Sequence, residues 1–486
     1  MKFTKLLLPL LGMALILPSC NLAVLDEEVV NTDYYCIMRD DYTTKATFTY
    51  KSDYFRKDTK VFDKDLALMS FIAAANSGQK KEMEKYYKTI HFTPFFFSDV
   101  YNTGSKEETY GMTLANRTID DFEVISLSFR SYDYTLEWVS NVTLGSEGNH
   151  AGFEKASDEA LEEFTKQIKA KFPEKKMKLW VNGFSRGGAL ANMFSTKLLN
   201  SNDLGFNIDN VYTYTFEAPA GFTEENRKDY PNIFNCTNKA DIVVNVPPAQ
   251  YGLYRSGIDV ELFDENTDFD KLFSDYVHSI YNDEDAQKLI DDFPKFKANP
   301  TDRIAKDDPK YIEKYYANEL EFMRYAINKL VTYQNEDFDI SNRSQYVKNV
   351  QPVARLGSKI IFSLNYHQQA AMLIKFNANY LAEGRRGKLV TLVSSFFDET
   401  VNPETGNEKG EDALYNLAKE YLDMVEFKYD DAELKTAVKT LRTLLLEIDI
   451  PTILGLFEHL DNYRRALYFH WHEATYVLVR ALSDKQ

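Results

Sequence analysis

Three short runs of the chain are rich in β-branched and aromatic residues: Phe122–Phe129 (FEVISLSF), residues 178–182 (KLWVN) and Val211–Phe216 (VYTYTF). Their length and composition predict strands. Between them, residues 153–172 and 186–199 carry apolar positions at helical spacing. Strands alternating with amphipathic helices predict an α/β architecture, a largely parallel sheet with both faces covered. Upstream, a lead-in rich in Tyr, Thr and Asp runs from Asn31 to about Lys60, with one short strand predicted from Thr47 to Tyr50. A helix is predicted from Phe62 through Ile72, where Asp63 and Asp65 favour the positive end of the dipole. After about Gln250 the strand signal fades. Ile312, Tyr315, Tyr316, Met323, Ile327, Leu330 and Val331 recur at helical spacing, as do Leu434, Val438, Leu441, Leu445 and Ile448. Residues 255–460 therefore read as mostly helical, with their aromatic stripes as packing surface.

Composition narrows the function. The chain has 486 residues, enough for two or three domains or one large elaborated one. With 44% hydrophobic and 27% charged residues it is globular rather than disordered. A net charge of −17 argues against a nucleic-acid partner, because phosphate backbones are held by clustered Lys and Arg. Three Cys make no disulfide framework, and neither a CxxC pair nor a Cys/His cluster with zinc spacing is present, so no structural zinc is expected. Cys36 and Cys236 either pair in an oxidising compartment or stay as buried thiols. Residues 264–270 open like a calcium loop, but Phe269 stands where the sharp turn needs Gly. No metal and no cofactor are expected.

The first twenty residues read as an export signal. Lys2 and Lys5 precede an apolar stretch from Leu6 to Leu17, which is too short to span a bilayer and is interrupted by Pro9 and Gly12. Leu17, Pro18, Ser19 and Cys20 then resemble a bacterial lipobox, in which Cys20 becomes the acylated N-terminus; a plain secretory signal is the alternative. The expected location is the bacterial cell envelope, on its periplasmic or surface face, with the membrane contacted through lipid rather than basic residues.

The chemistry centres on Gly183-Phe184-Ser185-Arg186-Gly187-Gly188, which follows the KLWVN strand and opens the next helix. A strand-to-helix turn this tight needs small residues two before and two after the serine, and it exposes Ser185 Oγ beside helix N-terminal amides. This is the setting of a nucleophile elbow. Serine needs a base, and the base an orienting carboxylate. Asp241, in residues 238–248 (NKADIVVNVPP) after the apolar residues 233–236, is the candidate acid; Glu217, which ends VYTYTFE, is the weaker alternative. His91 and His150 precede Ser185, and His278 falls among the first helices of the insertion. His470 and His472 precede a final short helix and have aromatic neighbours able to desolvate them. His470 is the preferred base and His472 the alternative. Expected oxyanion donors are the Arg186 amide and one from the loop after FEVISLSF, at Ser131 or Tyr132, with Ser131 preferred. Arg130 is read there as a structural ion-pair partner.

Taken together, these residues resemble the class 3 (fungal-type) lipase branch of the α/β-hydrolases. Phe129, Arg130, Ser131 and Tyr132, followed by Trp138 and Asn141, are similar to that family's Phe-Arg-Gly-Thr, Trp and Asn block; Ser131 and Tyr132 replace Gly-Thr. His150-Ala151-Gly152-Phe153 resembles its His-x-Gly-Phe, in which the histidine is not the base. His470-Trp471-His472-Glu473 is similar to a His-x-Pro-Glu ending, which favours His470. The resemblance covers about residues 62–248. It implies an insertion of about 229 residues between Asp241 and His470 that caps the site.

The resulting expectation is a signal peptide (1–19), a lead-in (20–60), an α/β-hydrolase core (61–254), a helical insertion or cap (255–460) and a returning C-terminal segment (461–486). The expected activity is hydrolysis of carboxylic esters or lipids by Ser185, Asp241 and His470 through an acyl-enzyme. The competing expectation is a lipoprotein that keeps the scaffold and binds a ligand or partner without turnover.

Overall fold

Burial of apolar strands between two helical layers organises the chain. The computed structural model describes residues 27–36, 43–103, 110–132, 136–201, 203–298, 316–331, 334–335, 338–363, 414–416, 418–420, 422–423, 427–447 and 459–484. Cys20 and the rest of the export segment, His367 and residues 309–315 lie outside them.

The first two strands, β1 (Glu27–Tyr35) and β2 (Thr43–Lys51), form a separate antiparallel pair. The main sheet contains β3 (Thr93–Phe97), β4 (Met112–Ile119), β5 (Phe122–Phe129), β6 (Met177–Phe184), β7 (Val211–Phe216), β8 (Ile233–Thr237) and β9 (Ile258–Glu261). Its order is β9-β8-β7-β6-β5-β4-β3. From β5 to β9 neighbouring strands are parallel, whereas β3 and β4 are antiparallel additions. The sheet therefore extends past residue 254: β9 is a short, largely exposed edge whose IDVE sequence gives no apolar signal.

One face of the sheet is covered by α1 (Lys64–Asn76) and α2 (Lys80–Thr89), the other by α3 (Ala151–Lys171) and α4 (Arg186–Ser201). In β6, Trp180 and Phe184 pack toward α1, while Leu179 and Val181 pack with Phe164 of α3 and Phe194 of α4. Period-two alternation inserts one strand into two cores. Asp63 Oδ1 caps α1 by accepting from Asp65 N and Leu66 N. From Leu66 to Asn76 every residue of this helix is buried, because the β1–β2 pair and the last helix close over its outer side. On β2, Thr44, Ala46, Phe48 and Tyr50 are the buried alternates.

Beyond β9 come α5 (Phe269–Ile280), α6 (Asp283–Asp292), α7 (Glu319–Val331), α8 (Arg343–Asn349), α9 (Gln351–Ser363) and α10 (Asp431–Glu447). The acidic residues 264–270 serve as turn and cap: Asp264 Oδ1 accepts from Asn266 N, and Asp268 caps α5. The chain returns through α11 (Leu460–Tyr468) and ends in α12 (His472–Asp484). This is an α/β-hydrolase fold with helical additions. No disulfide joins Cys36 and Cys236; both are buried, and Cys36 Sγ lies 3.8 Å from Glu473 Oε2. Among the described residues no helix is long and apolar enough to cross a membrane.

Candidate active site

Ser185 occupies the turn between β6 and α4 at a φ of 54°. A non-glycine residue in this region is strained, and such strain persists only where the surroundings enforce it. Here backbone packing does so. A Cβ on Gly183 would lie 2.1 Å from Gly187 O, and one on Gly187 would lie 2.8 Å from Phe129 O. The turn is held by Ser185 N donating to Phe216 O at 2.8 Å and by Ala189 N donating to Ser185 O at 3.0 Å. The Gly187→Ala protein is accordingly expected to lose several kcal/mol of stability, read as a lower urea midpoint, because the first turn of α4 would have to move off the end of β5.

The structure brings Ser185, His470 and Asp241 together. His470 Nε2 lies 2.7 Å from Ser185 Oγ, and His470 Nδ1 lies 2.6 Å from Asp241 Oδ2. His470 sits in the turn between α11 and α12, its ring 5.0 Å from that of Phe184, and the loop of Asp241 docks on α11 through Ile242 N donating to Ala466 O at 3.3 Å. Arg465 fastens α11 from the other side. Its guanidinium is buried against Asp270 at 2.9 Å, Glu319 at 2.7 Å and Pro294 O at 2.9 Å.

Two buried carboxyl groups lie here with opposite roles. Asp241 is fully buried, and its other oxygen accepts from Val243 N at 2.7 Å. Burial pushes its carboxyl up, opposed by the imidazole and the Val243 amide. Glu217, at the end of β7 with φ 48°, is also buried and accepts from Asn238 N at 2.8 Å. Burial, and then the neighbouring Asp241 charge, raise Glu217 well above the ordinary carboxylate range. Two adjacent buried carboxyls do not both ionise readily, so Glu217 holds the proton and Asp241 the charge.

His472 is placed elsewhere. It is buried among Tyr35, Phe71, Tyr132 and Phe184, and burial lowers it to about 3. His91 is half-exposed and pairs with Glu28 at 2.7 Å, and His278 is exposed on α5. His150 caps α3: its Nδ1 accepts from Phe153 N at 3.4 Å, its Nε2 donates to Asn141 O at 3.2 Å, and its ring stacks on Phe153 at 3.7 Å. Burial lowers His150 to about 3 as well. A histidine that resists protonation when folded and accepts it near 6.5 when unfolded contributes stability that is present above about pH 6.5 and lost as pH falls toward 3. The His150→Asn protein, which keeps a capping oxygen, is expected to show a stability slope between pH 6 and 4 that is shallower by about 1.4 kcal/mol per pH unit, measured by urea unfolding.

The Ser131 amide, expected at the oxyanion, is committed elsewhere. It donates to Ser77 Oγ at 3.1 Å, and Ser131 Oγ donates to Ala74 O at 2.8 Å, which ties this residue to the end of α1. Tyr132, next in the chain, stacks on Tyr35 at 3.6 Å. Arg186 heads α4, where the first turn leaves amides without intrahelical partners. Its buried guanidinium donates to Ser140 Oγ at 2.7 Å and 3.1 Å. Ser77 and Ser140 carried no sequence signal.

Ser185 and Arg186 open on a cavity of about 310 Å³, lined among others by Trp138, Leu144, His150, Phe153, Pro219, Val243, Pro247 and Tyr251. Its walls are mostly apolar. Ile340, Tyr346 and Val350, from the region after β9, complete them.

The sequence profile of the family described as Lipase (class 3) matches residues 125–251, from β5 to just past the Asp241 loop. No curated protein matches the chain. Among solved structures, the lipase of Rhizomucor miehei in its propeptide complex is 20% identical, with 41% of this chain and 68% of that one covered and a TM-score of 0.33. A lipase from Rhizopus microsporus var. chinensis is 19% identical, with 42% and 76% covered and a TM-score of 0.31. A Yarrowia lipolytica lipase is 13% identical, with 41% and 78% covered and a TM-score of 0.32. The family match and the sheet order together describe a class 3 lipase-like fold.

Proposed function

We propose that the chain is a serine hydrolase that cleaves carboxylic esters, lipase- or esterase-like in chemistry. The observation carrying this reading is the chain of hydrogen bonds from Asp241 through His470 to Ser185 Oγ at the mouth of an apolar cavity. In the reaction His470 Nε2 takes the Ser185 proton as Oγ attacks the acyl carbon, and Asp241 keeps the imidazole oriented and stabilises its charged form. The tetrahedral oxyanion faces the Arg186 amide, with Tyr132 rather than Ser131 supplying the second amide, because the Ser131 amide is held by Ser77. His470 then passes its proton to the departing alcohol oxygen. Water, deprotonated by the same nitrogen, hydrolyses the acyl-enzyme. No cofactor enters these steps. The acyl group lies in the cavity, so acyl esters or lipids are the substrates. Residues 1–19 direct export, and Cys20 carries a lipid anchor that holds the protein at the bacterial cell envelope.

A fluorophosphonate probe tests the chemistry. Labelling of the folded protein that disappears in Ser185→Ala supports it. No labelling of a folded protein would leave a scaffold that binds without turnover.

A further inference from the structure

We infer that the segment from Asp339 to Val350 is a fixed end wall of the acyl cavity that limits the enzyme to medium-length acyl chains, with Tyr346 as the main specificity-determining residue. The inference rests on the hydrolase reading and adds a substrate class to it. Ile340, Tyr346 and Val350 line the cavity, yet they lie more than 150 residues from Ser185 in sequence.

Polar bonds hold this segment to the core at both ends. Tyr251 Oη donates to Ile340 O at 2.8 Å. The Arg343 guanidinium donates to three successive carbonyls, Glu147 at 3.3 Å, Gly148 at 2.7 Å and Asn149 at 3.0 Å, in the loop that leads into His150. Tyr346 Oη donates to Val142 O at 3.3 Å, and Leu144 N donates to Gln351 Oε1 at 2.7 Å. Arg355 reaches Thr143 Oγ1. Within the segment, Asn342 Oδ1 caps α8 by accepting from Ser344 N and Gln345 N, and Asp339 Oδ1 accepts from Ser341 N. The Tyr346 ring packs 5.7 Å from that of Tyr251, and Val347 packs with it on Leu144, Ala220 and Leu253. Displacing Tyr346 therefore means breaking several bonds to backbone carbonyls that the new arrangement would leave unpaired.

At the roughly 30 Å³ that a water-sized unit occupies in liquid, the cavity has room for about ten such units. A chain of roughly eight to ten carbons fills it. Each methylene that still finds apolar wall raises kcat/KM by up to about fourfold, and one that meets Tyr346 contributes nothing.

The test is a series of p-nitrophenyl esters from two to sixteen carbons with the full chain, Tyr346→Ala, Tyr346→Phe and Val350→Trp. For the unaltered protein kcat/KM should rise to about C8–C10 and then fall. Tyr346→Ala should raise the C14:C8 ratio at least tenfold, Tyr346→Phe should keep the original profile, and Val350→Trp should lower the C8:C4 ratio at least tenfold. The two directions guard against a variant that fails to fold, and fluorophosphonate labelling reports the intact site independently. An unchanged chain-length profile in Tyr346→Ala and Val350→Trp proteins that still label would overturn the inference and leave the hydrolase reading standing. No hydrolysis of any ester together with no labelling would overturn both.

Discussion

The His470→Ala protein is expected to hydrolyse a short aryl ester about 10⁴- to 10⁶-fold more slowly than the unaltered chain, with KM little changed. The imidazole is the group placed within 2.7 Å of Ser185 Oγ, and without it no other described residue offers the serine proton an acceptor at that distance. Asp241→Asn should fall by a comparable factor of about 10⁴: the amide presents a donor or a weaker acceptor to Nδ1, so the ring settles in the wrong tautomer. His472 provides the contrast. It is buried among aromatic rings behind Phe184, and His472→Phe should alter kcat by less than about tenfold while removing a neutral buried imidazole. Initial rates with urea midpoints for each protein separate these outcomes. Equal losses from His470→Ala and His472→Phe at equal stability would contradict the assignment of the base.

The second large effect is on stability. Arg130 and Glu137 form an ion pair with both side chains almost completely buried. Arg130 N also donates to Gly111 O at 2.8 Å, and its guanidinium lies 5.3 Å from the Tyr101 ring centre. Removing Arg130 takes from the buried Glu137 carboxylate the guanidinium that faces it, so Arg130→Met should lower unfolding stability by about 3–5 kcal/mol. Arg130→Met combined with Glu137→Gln removes both charges and should recover a substantial part of that loss. Denaturant unfolding of the two singles and the double measures the coupling; additive losses would show that the pair does not act as a unit.

How far the sequence reached follows from where the interactions lie. The FEVISLSF and VYTYTF strands and the turn at Ser185 are legible because their constraints are local: strands covered on both faces are rich in β-branched and aromatic residues, and close backbone approach leaves room only for glycine at 183 and 187. The β1–β2 pair is only partly legible, since Thr-rich alternation over a covered helix resembles a polar lead-in. The antiparallel strands β3 and β4 gave no clear signal: Pro94 and a register shift interrupt one, and Asn116 and Arg117 the other. At the site, the limits are long-range contacts. The Ser131 amide is taken by a hydroxyl 54 residues earlier, and the part of the cavity wall that carries Tyr346 meets the core across about 200 residues. The resemblance to a His-x-Pro-Glu ending favours His470 over His472, and the turn between α11 and α12 places their rings in different surroundings two residues apart.

The separation of 285 residues between Ser185 and His470 also bears on the life of the chain during its synthesis. The elbow is built from β5, β6, β7 and α4, all of which precede the base in the chain, so a ribosome delivers the hydroxyl long before the imidazole. The proton acceptor arrives only with α11 and the turn after it. In the proposed hydrolase the nucleophile is therefore laid down first and its base much later, and attack on an ester waits for α11 and α12 to close on the sheet.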